Sequence, residues 1–232
     1  MNSRRTGSAR SGSSRSTSSS ADAAAPFTGF GAGLVAFYEA LERNNSRAWF
    51  AENKGRYESE VLRPLHALAR AVEPTYGAAK IFRPYRDVRF SSDKRPIKEQ
   101  AAMWLDRGDG TGYYVQVSAD GLLLGGGMHQ PPKPTLAAFR ARVDSEAGVK
   151  QIRRILSAAQ RHSVLLSEDF RLATVPRGYP KDHPSADLLG LTSLILVRHF
   201  PPGAWMSTKA ATAKITDTWN AMTAWNTLIA SL

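Results

Sequence analysis

Apolar residues recur at helical spacing toward both ends of this 232-residue chain and at strand spacing in its middle. From Gly33 to Leu41, the residues Leu34, Phe37, Tyr38 and Leu41 fall three or four apart, which puts them on one face of a helix. Asn44, Asn45 and Ser46 then break the pattern and supply a new N-cap. A second stripe, Phe50, Tyr57, Val61, Leu65, Leu68 and Val72, predicts a longer helix. Pro64 should kink or split it, because proline removes a backbone donor and clashes with the preceding turn. Trp49 and Phe50 read as core anchors.

Beyond residue 100 the period changes. Ala101–Leu105, Tyr113–Ser118 and Leu122–Gly126 are short apolar or alternating runs that predict strands. Ala119, Asp120 and Gly121 form a hairpin turn with glycine placed for a left-handed conformation, and Asp109–Gly110 marks another turn. The region is an antiparallel meander, ended by Pro131, Pro132 and Pro134. Helical spacing returns at Leu136, Phe139, Arg140 and Val143 and again at Val149, Ile152, Ile155 and Leu156. Ser193–Phe200 predicts a further strand, and Ile215, Trp219, Met222, Trp225, Leu228 and Ile229 line a closing helix. Helices before and after one antiparallel sheet predict an α+β fold, not a doubly wound parallel one. Residues 26–232 are expected to form a single domain. Residues 1–25 have no aromatic or branched aliphatic residue and cannot offset their ordering entropy, so a disordered Ser/Arg-rich tail is expected there. The tail's acid-poor composition shares features with an organellar transit peptide, but it lacks the apolar segment of a secretory signal.

Composition narrows the function classes. There is no cysteine, which excludes disulfides, thiolate nucleophiles and cysteine-ligated zinc and fits a cytoplasmic protein. No apolar run approaches the roughly eighteen residues of a membrane span, so no membrane insertion is expected. Formal charge is +11. The tail's Arg4, Arg5, Arg10 and Arg15 against Asp22 supply +3 of this, so the body itself is basic and attracts anions without specifying one.

Candidate chemistry concentrates in Arg86–Lys98, reading RDVRFSSDKRPIK, where five basic side chains and two aspartates share thirteen positions. Arginine offers a planar fork of donors and lysine a mobile point charge, so Arg86, Arg89, Lys94 and Lys98 are expected to bind a phosphate or carboxylate. In a strand, Arg86, Val88 and Phe90 would share one face, opposite Asp87, Arg89 and Ser91. The competing reading is a surface network in which Asp87 and Asp93 neutralise neighbouring arginines. Gly125, Gly126 and Gly127 could expose backbone N–H groups to phosphate, or could form a strand-end bulge or a floor kept clear for packing. They match neither familiar nucleotide-loop pattern.

A second polar segment, Pro176–Pro184, reads PRGYPKDHP. Arg177 could complete an anion site, and Asp182 and His183 are the catalytic candidates, His183 for its titration near neutrality. Alternatively, Asp182 or His183 caps the helix suggested by Ser185–Leu189. His66, His129, His162 and His199 show no metal-ligand spacing, and H-E-x-x-H and G-x-S-x-G are absent, so no metal or cofactor is expected and no enzyme class is assigned.

Together these segments, with FTGF at Phe27–Phe30, NNSRAWF at Asn44–Phe50 and LGGG at Leu124–Gly127, resemble the microbial family called domain of unknown function 2461. Five motifs agree in order and spacing from Phe27 onward. The resemblance implies one domain after the tail and carries no catalytic residues; Ile97 stands where the family pattern has tyrosine. The leading expectation is a soluble protein that binds a small phosphate- or carboxylate-bearing ligand. The alternatives are a nucleic-acid-associated module, touching phosphates through the same basic residues, and a basic scaffold for an acidic protein partner.

Overall fold

A computed structural model describes residues 25–87, 89 and 92–232. The disorder expected of the tail therefore concerns residues that, apart from Ala25, lie outside those described, as do Val88, Phe90 and Ser91. The first stripe becomes α1 (Leu34–Arg43). Ser46 caps α2 (Arg47–Glu52), its hydroxyl accepting from the Trp49 N–H at 3.1 Å. The long stripe splits into α3 (Lys54–Tyr57), a π-helical stretch over Glu58–Leu62, and α4 (Arg63–Tyr76). Pro64 occupies the first turn of α4, where its missing N–H is not needed.

Six strands follow: β1 (Ala78–Ile81), β2 (Gln100–Asp106), β3 (Gly112–Ser118), β4 (Gly121–Met128), β5 (Leu165–Leu166) and β6 (Leu194–Phe200). They form one antiparallel sheet in the order β1-β2-β3-β4-β6-β5. The β3–β4 hairpin closes between Ser118 and Gly121, with Gly121 at φ +103°, as its turn residues predict. β1 and β5 carry no readable alternation, being four and two residues long. The remaining helices are α5 (Lys133–Asp144), α6 (Glu146–Gln160), α7 (Ala186–Leu189) and α8 (Ala210–Ala230). The fold is α+β in one compact domain. No described helix is long and apolar enough to cross a membrane.

Strand alternation divides the sheet into two unlike faces. On one, Met103, Leu105, Tyr113, Val115, Val117, Leu122, Leu124, Leu194 and Leu196 join the helices in a single core. α8 is sewn to this face: the Trp219 and Trp225 indole N–H groups donate to the carbonyls of Tyr114 and Leu194 at 3.2 and 3.0 Å. The Asn226 amide donates to the Gly112 carbonyl at 3.1 Å. Each of these bonds satisfies a polar group that burial would otherwise strand. On the other face Gln100, Ala102, Trp104, Tyr114, Gln116, Leu123, Ile195 and Val197 stand outside that core.

One expectation is corrected. Arg86–Ser91 is not a strand among the described residues. The connection from β1 to β2 is irregular apart from an isolated bridge between Tyr85 and Ile97. Charge pairing explains this, because its aspartates fold back onto residues two positions ahead, a local turn geometry that competes with an extended ladder.

Candidate functional site

The sheet face opposite the helices forms the floor of a cavity of about 590 Å³. Alternate residues of four strands supply the floor: Ala102 and Trp104, Tyr114 and Gln116, Leu123 and Gly125, Ile195 and Val197. Phe82, Arg83, Lys98 and Gln100 form one end of the rim, and His129, Ser167, Asp169 and Phe170 belong to the other. His129 and Phe170 meet edge to face at 4.9 Å between ring centres, and the Ser167 hydroxyl donates to Asp169 at 3.4 Å.

The basic loop reaches the cavity at one point. Asn45 holds it there: its side-chain Oδ1 accepts from the Ile97 N–H at 3.1 Å, and its Nδ2 donates to the Ile97 carbonyl at 3.0 Å and to Glu99 at 3.2 Å. Ile97 is buried in the core, so the next residue, Lys98, is turned outward, its N–H donating to the Pro84 carbonyl at 2.7 Å. The Lys98 ammonium lies 5.7 Å above the Phe82 ring. Burial holds the Lys98 pKa below the ordinary lysine range, and the neighbouring charges of Arg83 and Arg86 lower it further. Lys98 and Arg83 thus line this end of the cavity, and Arg86 lies close enough for its charge to act on Lys98.

Most of the loop's remaining charge is consumed within it. Asp93 is shared by Arg86 and Arg95, the latter forking onto it at 2.9 and 2.6 Å and also pairing with Glu99. Hydrogen bonds from Arg95 hold the Asp93 carboxyl far below the usual carboxylate range. Arg89 forks onto Asp87 at 3.0 and 2.7 Å and is largely exposed, and these bonds lower the Asp87 pKa. The surface-network reading therefore describes Arg86, Arg89 and Arg95.

The glycine run lies inside β4, flanked by β3 and β6, so the ladders on both sides engage its peptide groups and leave no bare cluster of N–H donors for a phosphate. Each glycine answers a different demand. A Cβ on Gly126 would sit 2.8 Å from the Met222 sulfur of α8, and Gly127 adopts φ +134° hard against β6. Gly125 faces the cavity and keeps its floor bare.

Of the residues predicted from sequence, Lys98, Gly125 and Gly126 line the cavity, and Arg86 acts on it through Lys98. Arg89, Lys94, Gly127, Arg177, Asp182 and His183 are not among its lining residues. The cavity is thus lined from the first polar segment and the sheet, and Pro176–Pro184 contributes no lining residue. His183 has a different setting: its Nδ1 accepts from the Ser185 N–H at 3.0 Å at the start of α7, which leaves Nε2 to donate to Asp144 at 3.1 Å. Arg83, Gln100, Trp104, Tyr114, Gln116, His129 and Asp169 line the cavity without having been singled out from sequence. The signal for several of them was present, since Gln100, Ala102 and Trp104 alternate with core residues on β2, as Tyr114 and Gln116 do on β3.

A helical layer on one face of an antiparallel sheet, with a basic-rimmed cavity on the other, defines a two-layer α+β domain built around an open sheet face. The chain belongs to the DUF2461 family of conserved hypothetical proteins, whose family model matches residues 33–227. No curated protein and no solved structure matches it.

Proposed function

We propose that this protein binds a small phosphate- or carboxylate-bearing ligand in the open-face cavity, with Lys98 and Arg83 receiving the anion and Arg86, paired with Asp93, standing behind them. One observation carries the reading: Lys98 is held partly buried beside two arginines, at the mouth of a concave and largely apolar cavity, with no ion-pair partner among the described residues. Crowding like charges is unfavourable for folding, and such arrangements cluster at sites where an anion relieves them. A mostly apolar pocket with a few convergent polar groups is the usual form of a small-ligand site. The cysteine-free composition suits a cytoplasmic setting for it.

The test is calorimetric titration of the full chain with inorganic phosphate, pyrophosphate, ribose 5-phosphate and citrate at two salt concentrations. Selective binding that survives added salt and is lost in Lys98→Ala and Arg83→Ala supports the reading. Binding that is indifferent to anion identity and collapses with salt would instead favour the nucleic-acid-associated module. No binding by any of these anions would favour the protein scaffold.

A further inference from the structure

Trp104 and Tyr114 are register partners across the β2–β3 pair on the open face, and each lies against a glycine. A Cβ on Gly112 would fall 2.7 Å from Cε2 of Trp104 and closer still to Cζ2, so the bare backbone there is what lets the indole lie down on the sheet. A Cβ on Gly125 would come within 3.3 Å of the Tyr114 Cβ and 3.8 Å of its Cδ1. An indole laid on a strand in this way keeps the cavity open and turns its outer π face toward it, and Tyr114 lines the cavity beside it. The Tyr114 hydroxyl donates to Oε1 of Gln116 at 2.9 Å, which leaves the Gln116 NH₂ as a donor beside the rings. Gln100, in a flanking row, also lines the cavity.

The spacing constrains the occupant. Lys98 lies just before β2, and Gln100, Ala102 and Trp104 then line the cavity in one row, with Gln100 and Trp104 roughly 13 Å apart along the strand. An acid attached directly to a ring spans only part of that row. Resting on the anion-binding reading above, we propose that the ligand is nucleotide-like: a planar ring stacked over Tyr114 and Trp104, a spacer of sugar size or longer, and an anionic group at Lys98 and Arg83. The amides of Gln116 and Gln100 then meet the polar edge of the ring. Stacking on an aromatic side chain is sequence-tolerant and strengthens binding by roughly ten- to a hundredfold.

Titration of the full chain with AMP, UMP, adenosine, ribose 5-phosphate and indole-3-carboxylate tests the proposal. AMP and UMP should bind, and each compound lacking the ring, the spacer or the charge should bind at least about tenfold more weakly. Trp104→Leu should weaken AMP about tenfold and leave ribose 5-phosphate unchanged; if that variant melts early, Tyr114→Leu provides the same comparison. Equal affinity for AMP and ribose 5-phosphate, with no effect of either substitution, would overturn the ring-stacking proposal and leave the anion site standing. Failure of every compound, ribose 5-phosphate included, would overturn both. Much tighter binding of a short oligonucleotide than of AMP, with a steep loss in salt, would make the occupant single-stranded nucleic acid and overturn the small-ligand proposal.

Discussion

The side chain of Asn45 pairs with the backbone of Ile97 as a neighbouring strand would, accepting from its N–H at 3.1 Å and donating to its carbonyl at 3.0 Å. One amide thus replaces a missing ladder at the point where the irregular loop returns to β2. Because Ile97 is sealed into the core, this clamp also fixes the direction in which Lys98 leaves.

Asn45→Ala should therefore act on stability and site together. Loss of the clamp strands two partly buried peptide groups, at a cost of about 1–3 kcal/mol. Denaturant unfolding should show a lower midpoint with an unchanged slope, and anion affinity should fall more than it does in an exposed-surface control such as Lys150→Ala. An unchanged midpoint would show that the loop is held by its ion pairs instead.

If the proposed anion site is real, Lys98 should make its affinity depend on pH. Its pKa in the free protein lies below the ordinary lysine range, through burial and then through repulsion from Arg83 and Arg86. A bound anion favours the charged form, so binding takes up protons; affinity is full below the free-protein pKa of Lys98 and is lost as pH rises through it. Stability of the unliganded protein runs the other way: the native state binds fewer protons than the unfolded chain between the lowered and the ordinary pKa, so stability rises with pH across that window. Lys98→Met should abolish this affinity profile and raise the melting temperature near neutrality. A lowered melting temperature would show that the ammonium is stabilising where it stands.

The sequence made the helices and central strands legible because their apolar spacing is enforced by a single core. Leu34, Phe37, Tyr38 and Leu41 on α1, and Val115 and Val117 on β3, all end there. The same alternation held half of the site, since residues between core positions on β2 and β3 must face the other way. Trp104 and Tyr114 stand side by side on that face, two large rings that a fully solvated face would seldom carry. What spacing could not supply was the pairing of charges within the loop. Arg86, Arg89 and Arg95 resemble ligand-binding arginines in composition, and only geometry shows Asp93 and Asp87 already holding them. Arg83 lies outside the dense motif, and what joins it to the cavity is the β1–β2 pairing that returns Phe82 to the Ala102 carbonyl.

His183, an attractive proton carrier by sequence, should prove a fastener. Its ring ties the start of α7 to Asp144 at the end of α5. His183→Ala should lower the unfolding free energy by about 1–2 kcal/mol, seen as a lower denaturant midpoint and of the size expected for losing a helix-start acceptor, while ligand affinity stays within twofold of wild type. A selective loss of affinity with unchanged stability would return this residue to the site.

The glycine run offers a graded test, because its three members face three different surroundings. Gly127→Ala should be the most damaging, since it combines a φ of +134° with backbone contact to β6. Gly126→Ala forces a methyl group against the Met222 sulfur at 2.8 Å and its Cβ at 3.1 Å, an overpacking cost of about 1–3 kcal/mol. Gly125→Ala is tight only against the Tyr114 Cβ at 3.3 Å, with the Leu196 carbonyl at 3.6 Å and the Tyr114 Cδ1 at 3.8 Å in ordinary contact, so its stability should stay within about 0.5 kcal/mol of wild type. That added methyl projects into the cavity floor beside the tyrosine, so Gly125→Ala should weaken ligand binding without loosening the fold, separating the floor of the site from the packing beneath it. Equal destabilisation by all three substitutions would show the run to be purely architectural, and unchanged affinity in Gly125→Ala would place the ligand elsewhere on the open face.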